Sequence, residues 1–374
     1  MNKENYKKTP FNEPFICNRA DPYIYTLSDE VHPPRRDMSY GMPFECTLSD
    51  EVRPPRRDMH YGMTPGYRHT EHTYYFTASV PEYDRIILRK ASNIKDLACA
   101  EEKVLWRKHD TGKQSIHIWA PEIHYLWGEW FIYYAAGDID DIWAIRPYIL
   151  RCKGSDPFED EWEEMGQMKA AEEDDFSFRD FSLDATVMEH KGDYYYIWAE
   201  KTGVGKKISN LYIAKLQAPN RLSTVQKLLT TPDYEWERVG FWVNEGPAVL
   251  KHEGKIFLTY SASETGSAYC MGMLTISEDE DLLDPNNWSK SRIPILRTDE
   301  EKGIFGPGHN SFVKSEDGKK DLCVFHARCY DEIQGDPLYD PNRHTMIIEV
   351  MWDEKDDPVF RFENKYNAFI EDCE

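Results

Sequence analysis

Asp184-Ala185-Thr186-Val187-Met188-Glu189-His190-Lys191-Gly192-Asp193-Tyr194-Tyr195-Tyr196-Ile197-Trp198-Ala199 is the stretch on which the fold turns. A short apolar strand opens on an acid, a Lys-Gly turn follows, and the returning strand is aromatic at almost every position. Apolar residues at consecutive rather than alternate positions indicate a strand buried on both faces, and the glycine indicates a tight hairpin. The same pattern recurs in residues 121–125 before 129–136, in 245–250 before 255–261, and in 310–313 before 321–327, each second strand ending near Ala or Ser.

The residues opening these hairpins are Glu122, Asp184, Glu245 and His309, spaced 62, 61 and 64 positions apart. Self-similarity at one long period marks a repeat architecture, and roughly 60 residues suits a four-stranded propeller blade with its loops. Asp21-Pro22-Tyr23-Ile24-Tyr25, with residues 73–79 as its aromatic partner, supplies a fifth hairpin, but Asp21 precedes Glu122 by 101 positions. A duplication accounts for the excess. Thr-Leu-Ser-Asp-Glu-Val-His-Pro-Pro-Arg-Arg-Asp-Met-Ser-Tyr-Gly-Met at 26–42 returns at 47–63, changed only at His32/Arg53 and Ser39/His60. Its Pro-Pro pairs argue against sheet interior, so residues 26–66 read as a tandem insertion in the first blade's hairpin turn, directed away from Asp21. The expectation is an all-β, five-bladed β-propeller spanning 1–374 as a single catalytic domain.

Composition agrees with a folded globule, since 40% of residues are hydrophobic and 14% aromatic, enough for a large core. A formal charge of −22 repels phosphate backbones and anionic lipid, so nucleic acid and membrane are excluded as partners and a neutral ligand is favoured. The eight cysteines form no Cys-x-x-Cys pair and read as reduced thiols. Residues 1–14 lack the apolar stretch of a leader, which gives a cytoplasmic expectation, or a secreted one if a leader has been removed. Acidic runs at 159–164, 172–175 and 278–284 fall between blades and read as solvated loops.

In a propeller the innermost strands begin near the axis, so Asp21, Glu122, Asp184, Glu245 and His309 should converge. Carboxyls crowded round one cavity raise one another's pKa, and glycosidic cleavage needs one carboxyl protonated and another ionised. Glu245, in Val-Asn-Glu-Gly-Pro-Ala with apolar flanks, suits the neutral acid. Asp21 suits the base, with Arg19 favouring its ionised form if that side chain turns inward.

Arg19-Ala20-Asp21-Pro22, Trp119-Ala120-Pro121-Glu122, Ser182-Leu183-Asp184-Ala185-Thr186, Asn244-Glu245-Gly246-Pro247 and Gly306-Pro307-Gly308-His309-Asn310 together resemble the signature set of glycoside hydrolase family 43. Tyr75-Phe76-Thr77-Ala78-Ser79-Val80-Pro81-Glu82-Tyr83-Asp84-Arg85 and Asp336-Pro337-Leu338-Tyr339-Asp340-Pro341-Asn342-Arg343-His344 are most similar to its exo-acting α-L-arabinofuranosidase branch. The resemblance covers nearly the whole chain except the insertion.

It implies inverting hydrolysis with Asp21 as general base, Glu245 as general acid and Asp184 as the third carboxyl that raises and orients Glu245. It implies a neutral arabinose-containing oligo- or polysaccharide as substrate, with Trp119 as sugar platform and Arg328 and Glu122 at the substrate. For His309 it implies an axial position facing, through waters, a structural calcium that the chemistry does not require. An oligomer is compatible with all of this. β-Xylosidase and endo-arabinanase use the same three acids and stay open at this point, as does, from another class, a non-catalytic propeller scaffold. Gly203-Val204-Gly205-Lys206-Lys207 lacks the spacing of a phosphate loop, and no Gly-x-Ser-x-Gly nucleophile motif appears.

Overall fold

A computed structural model describes residues 8–28, 72–202, 208–364 and 366. Five antiparallel sheets are arranged in a ring, a five-bladed β-propeller almost without helix. Blade 1 is β1 (Ala20–Ser28), β2 (His72–Ser79), β3 (Arg85–Ala91) and β4 (Glu102–Arg107). Blade 2 is β5 (Lys113–Leu126), β6 (Glu129–Asp138), β7 (Asp141–Cys152) and β8 (Trp162–Gln167). Blade 3 holds β9 (Ser182–His190), β10 (Asp193–Thr202) and β11 (Ile208–Ala218), with β12 (Arg221–Leu222) and β13 (Lys227–Thr230) both pairing to β11. Blade 4 is β14 (Asn244–His252), β15 (Lys255–Ala262), β16 (Cys270–Ser277) and β17 (Ser289–Lys290). Blade 5 is β18 (Phe305–Lys314), β19 (Asp321–Arg328), β20 (His344–Trp352) and β21 (Pro358–Val359). The innermost strands touch in the order β1, β5, β9, β14, β18 and back to β1.

The continuous aromatic run of β10 is explained by where its two faces go. Tyr195, Ile197 and Ala199 pack with Ile256, Leu258 and Tyr260 of blade 4. Tyr196 and Trp198 face the other way, against Phe131 and Tyr133 of blade 2. Each blade is thus a middle layer between two cores, and its second strand has no polar side to alternate with.

The tandem unit at 26–66 lies outside the described residues apart from Thr26–Ser28, so its direction is not visible. Its points of departure are visible: Ser28 and His72 are register partners at the end of the β1–β2 hairpin remote from Asp21. The ring closes between blades 5 and 1, where Phe15 N donates to Thr345 O at 2.8 Å and Thr345 N to Ile16 O at 2.9 Å.

Every innermost strand carries a β-bulge with a left-handed residue at the equivalent position: Asp21 (φ 52°), Ala120 (45°), Asp184 (49°), Gly246 (55°) and His309 (46°), and the longer β5 and β18 carry further ones before it at Gln114, His117 and Gly306. Successive members from Ala120 onward stand 64, 62 and 63 positions apart, a more even period than the one read from the hairpin openings. The equivalent of Asp21 in blade 2 is therefore Ala120, and Glu122 lies two residues beyond the bulge.

Trp198 is fully buried, and its indole N–H donates to Glu200 Oε2 at 2.9 Å. Trp198→Ala is expected to destabilise the fold by about 3–5 kcal/mol, from the cavity and the lost contact area, read as a lower denaturation midpoint.

Candidate active site

The bulges turn their side chains toward the axis, and there a cavity of about 340 Å³ opens between Asp21, Trp119, Asp184, Glu245 and His309. The three carboxyls singled out from the sequence, and His309, are all buried or nearly so and all line it.

Asp21 is the most constrained. Ser79 Oγ donates to its Oδ2 at 2.6 Å and itself accepts Ala120 N–H at 2.8 Å. His309 Nδ1 lies 3.3 Å and Arg343 Nη1 3.6 Å from Oδ1. The Asp21 amide donates to His326 Nδ1 at 3.1 Å. Burial pushes His326 down to about 3, so the ring is neutral, and an Nδ1 that accepts this amide has no proton to give Oδ1. Burial by itself would raise Asp21; His309 and Arg343 outweigh it and hold the carboxyl well below the usual carboxylate range. Arg19, the cation expected to do this, instead turns outward to Glu102, with Nη2–Oε1 at 2.5 Å.

Glu245 and Asp184 move the other way. Burial raises Glu245, partly offset by a 2.9 Å hydrogen bond from Tyr269 OH and by His309 and Lys201. Asp184 is raised well above its ordinary value, by burial first and by Glu245 and Asp21 next, although Gly246 N–H donates to it. The two carboxyls titrate as a pair. Gly246 has no room for a side chain, since a Cβ there would meet His309 Cγ at 3.1 Å in a backbone conformation that already disfavours one.

Trp119 lines the cavity, its ring stacked on His117 at 4.5 Å with Trp143 on the other side of the imidazole at 5.3 Å. Two sequence expectations are corrected. Glu122 does not line the cavity; its Oε2 pairs with His124 Nε2 at 2.9 Å because its strand position, past the bulge, faces a different neighbour. Arg328 does not line it either. Its guanidinium is consumed by protein oxygens, Nη1 to Thr265 O at 2.6 Å, Nη2 to Pro337 O at 2.7 Å and Nε to Asp340 at 3.1 Å. The arginine at the cavity is Arg343.

Sequence reasoning also missed Lys201, Tyr269, Ser79 and His326. Ser79 carried a signal: second strands tend to end near Ala or Ser, and Ser79 and Ser261 occupy matching strand ends. Lys201, whose Nζ sits 4.0 Å from the Phe181 ring centroid, carried none.

The axial calcium finds little support in the donor set. Among the described residues no three of His, Cys, Asp or Glu form a metal-binding group. His309 Nδ1 is turned to Asp21 and to Asp184, the latter at 3.6 Å. An ion that prefers six to eight oxygens would be reached here through waters, from the side of the His309 ring turned away from the two carboxyls.

Residues 62–358 match the family described as Glycosyl hydrolases family 43. The chain belongs to that family. It is 46% identical over 294 residues to a protein of Streptomyces avermitilis named extracellular exo-α-(1→5)-L-arabinofuranosidase, covering 79% of this chain and 60% of that one. A protein of the same name from Streptomyces chartreusis is 47% identical over 271 residues, covering 72% and 81%. The crystal structure of an α-L-arabinofuranosidase from Lactobacillus brevis superimposes with a TM-score of 0.76 at 43% identity, covering 93% and 95%. The family 43 chain described here thus spans about three fifths of the first relative's length and four fifths of the second's. Relatives named as extracellular overturn the cytoplasmic expectation, which rested only on the composition of residues 1–14. The expectation of reduced thiols is corrected in part: among the described residues Cys17, Cys152, Cys270, Cys323 and Cys329 are free, whereas Cys99 is disulfide-bonded.

Arg328→Ala is expected to cost about 2–4 kcal/mol in unfolding free energy, because it empties the site of a fully buried guanidinium and removes its bonds to Thr265 O, Pro337 O and the half-buried Asp340 carboxylate. A sugar-binding arginine would show the opposite profile, a raised KM with unchanged melting temperature.

Proposed function

We propose that the chain is a secreted inverting exo-glycosidase that releases L-arabinofuranose from arabinan, arabino-oligosaccharides or arabinoxylan side chains. Asp21 acts as base, Glu245 as acid, and Asp184 works beside the acid. The observation that carries this reading is the opposite displacement of two carboxyls at one cavity, Asp21 downward and Glu245 upward. Glycosidic cleavage asks for that pairing: Asp21 takes a proton from water as the water oxygen bonds to the anomeric carbon, and Glu245 gives its proton to the departing oxygen. Asp184 and Glu245 are both raised by burial and titrate as a pair, which favours a proton at the acid while Asp21 is held low.

Inversion requires a gap of about 6.5–9.5 Å between base and acid, enough for the water. Asp21 and Glu245 stand on blades 1 and 4, with blade 5 between them, which favours a wide gap over the short one of a nucleophile. The arabinose assignment is supported by the names of relatives at 46% and 47% identity, and secretion by the word extracellular in both. The Cys99 disulfide suits an oxidising compartment. Trp119 and Trp143 offer apolar faces for the sugar, and the strongly negative chain favours a neutral one.

The test is proton NMR of the first minutes of hydrolysis of an α-1,5-linked arabino-oligosaccharide. Arabinose is expected first as the β-anomer. The α-anomer would mean retention, and release of oligomers ahead of monosaccharide would remove exo action.

The pH dependence has a definite sign. Activity needs Asp21 ionised and a proton on Glu245, so it falls on acidification only as Asp21 protonates and on alkalinisation as Glu245 loses its proton. The kcat/KM profile is expected to hold its plateau well below the ordinary aspartate value of about 3.9 and to break above the ordinary glutamate value of about 4.3.

A further inference from the structure

Tyr269, immediately before β16, is buried and donates to Glu245 Oε1 at 2.9 Å. Nearby, Ser261 Oγ accepts His309 N–H at 2.6 Å. A phenol carries a single proton, and here it is committed to Glu245 Oε1. An oxygen that accepts this bond in a dry interior is disfavoured as the site of a proton of its own.

The ring that carries this donor is held rigidly. It stacks on His326 with centroids 5.6 Å apart and planes 6° from parallel. Gly308 lies against it, where a Cβ would run into the ring. His326 is the residue that takes the Asp21 amide, so the Tyr269–His326 stack is a plate reaching from the acid to the backbone of the base. Blade 1 carries the counterpart of the Ser261 contact: Ser79 accepts Ala120 N–H, and it donates directly to Asp21 Oδ2.

We propose that Tyr269 is a positioning residue: held by its stack on His326, its O–H keeps Glu245 Oε1 an acceptor and confines the transferable proton to Oε2, facing the leaving group. This deepens the reading above and rests on Glu245 being the acid. Without the Tyr269 donor the proton can sit on either oxygen, and delivery to the glycosidic oxygen loses its geometry.

Leaving-group dependence tests it. A 4-nitrophenolate departs with little help from an acid, whereas a sugar alkoxide needs the proton. Tyr269→Phe retains the ring stack and removes only the O–H. On α-1,5-arabinobiose its kcat is expected to fall roughly ten- to hundredfold, within the range of a general-acid contribution, with KM nearly unchanged. On 4-nitrophenyl α-L-arabinofuranoside the fall should be several times smaller. His326→Ala leaves the Tyr269 hydroxyl but removes the ring it stacks on and should show the same asymmetry more weakly; it carries the test if Tyr269→Phe proves unfolded by thermal melting. Equal losses on the two substrates, or a change in KM alone, overturn the proposal. Glu245→Gln run alongside separates the two readings. If it shows strong leaving-group dependence and Tyr269→Phe does not, the positioning role falls alone; if it shows none, the acid assignment falls and takes this one with it.

Discussion

A left-handed residue at the head of each innermost strand is the constraint from which the rest of the molecule follows. For a residue with a Cβ this conformation costs on the order of 1–2 kcal/mol, and it occurs here at Asp21, Ala120, Asp184 and His309, with glycine only at Gly246. Such strain persists where surrounding structure over-determines it. What holds it here is the neighbouring blade: the bulge amides of Asp21, Ala120, Gly246 and His309 are taken by His326, Ser79, Asp184 and Ser261. One device therefore serves two ends, pinning blade to blade and turning side chains off the sheet toward the axis. The catalytic candidates are part of the mortar of the ring, which is why their positions leave so little slack.

Once three carboxyls are turned into one buried cavity, burial raises all of them alike, and their different roles need a second influence. It comes from which groups face each carboxyl. Arg343 and the His309 ring stand against Asp21 and bring it down despite its burial. Glu245 receives the Tyr269 donor, with His309 and Lys201 further off, which moderate its rise without cancelling it. Asp184, with the Gly246 amide and His309 Nδ1 at 3.6 Å on one side, faces the carboxyls of Glu245, Asp21 and Glu122 on the other and rises furthest. The loop carrying Leu338 is tied back to this arrangement, since Arg343 Nη2 donates to Tyr83 OH and Tyr83 OH to Leu338 O, both at 2.5 Å. The wall of the cavity and the charge on the base thus share a residue.

Much of this was legible in the chain. Both-face burial of the second strands is written in runs such as Tyr194-Tyr195-Tyr196-Ile197-Trp198, and the period of about sixty residues reports a repeating blade. Asp21, Asp184 and Glu245 were recoverable because each opens a strand within one period. Glu122 was misread for an instructive reason: it satisfies the hairpin pattern, but the bulge that aims a side chain inward belongs to Ala120. Arg19 and Arg328 failed because sequence proximity to a site says nothing about which oxygens a guanidinium reaches; Glu102 claims the first, and two carbonyls with Asp340 claim the second.

By itself, the sequence determined the class of fold, the number of blades, the strands that meet at the axis and the acids those strands carry. All of these follow from local pattern and period, which neighbouring residues settle among themselves. Only the tertiary structure decided which groups face each carboxyl, which arginine reaches the cavity, and that Ser79, Tyr269 and His326 hydrogen-bond at Asp21 and Glu245. These depend on contacts between blades that are distant in sequence, and a hydrogen bond or an ion pair is decided by tenths of an ångström across such contacts, which no local pattern encodes.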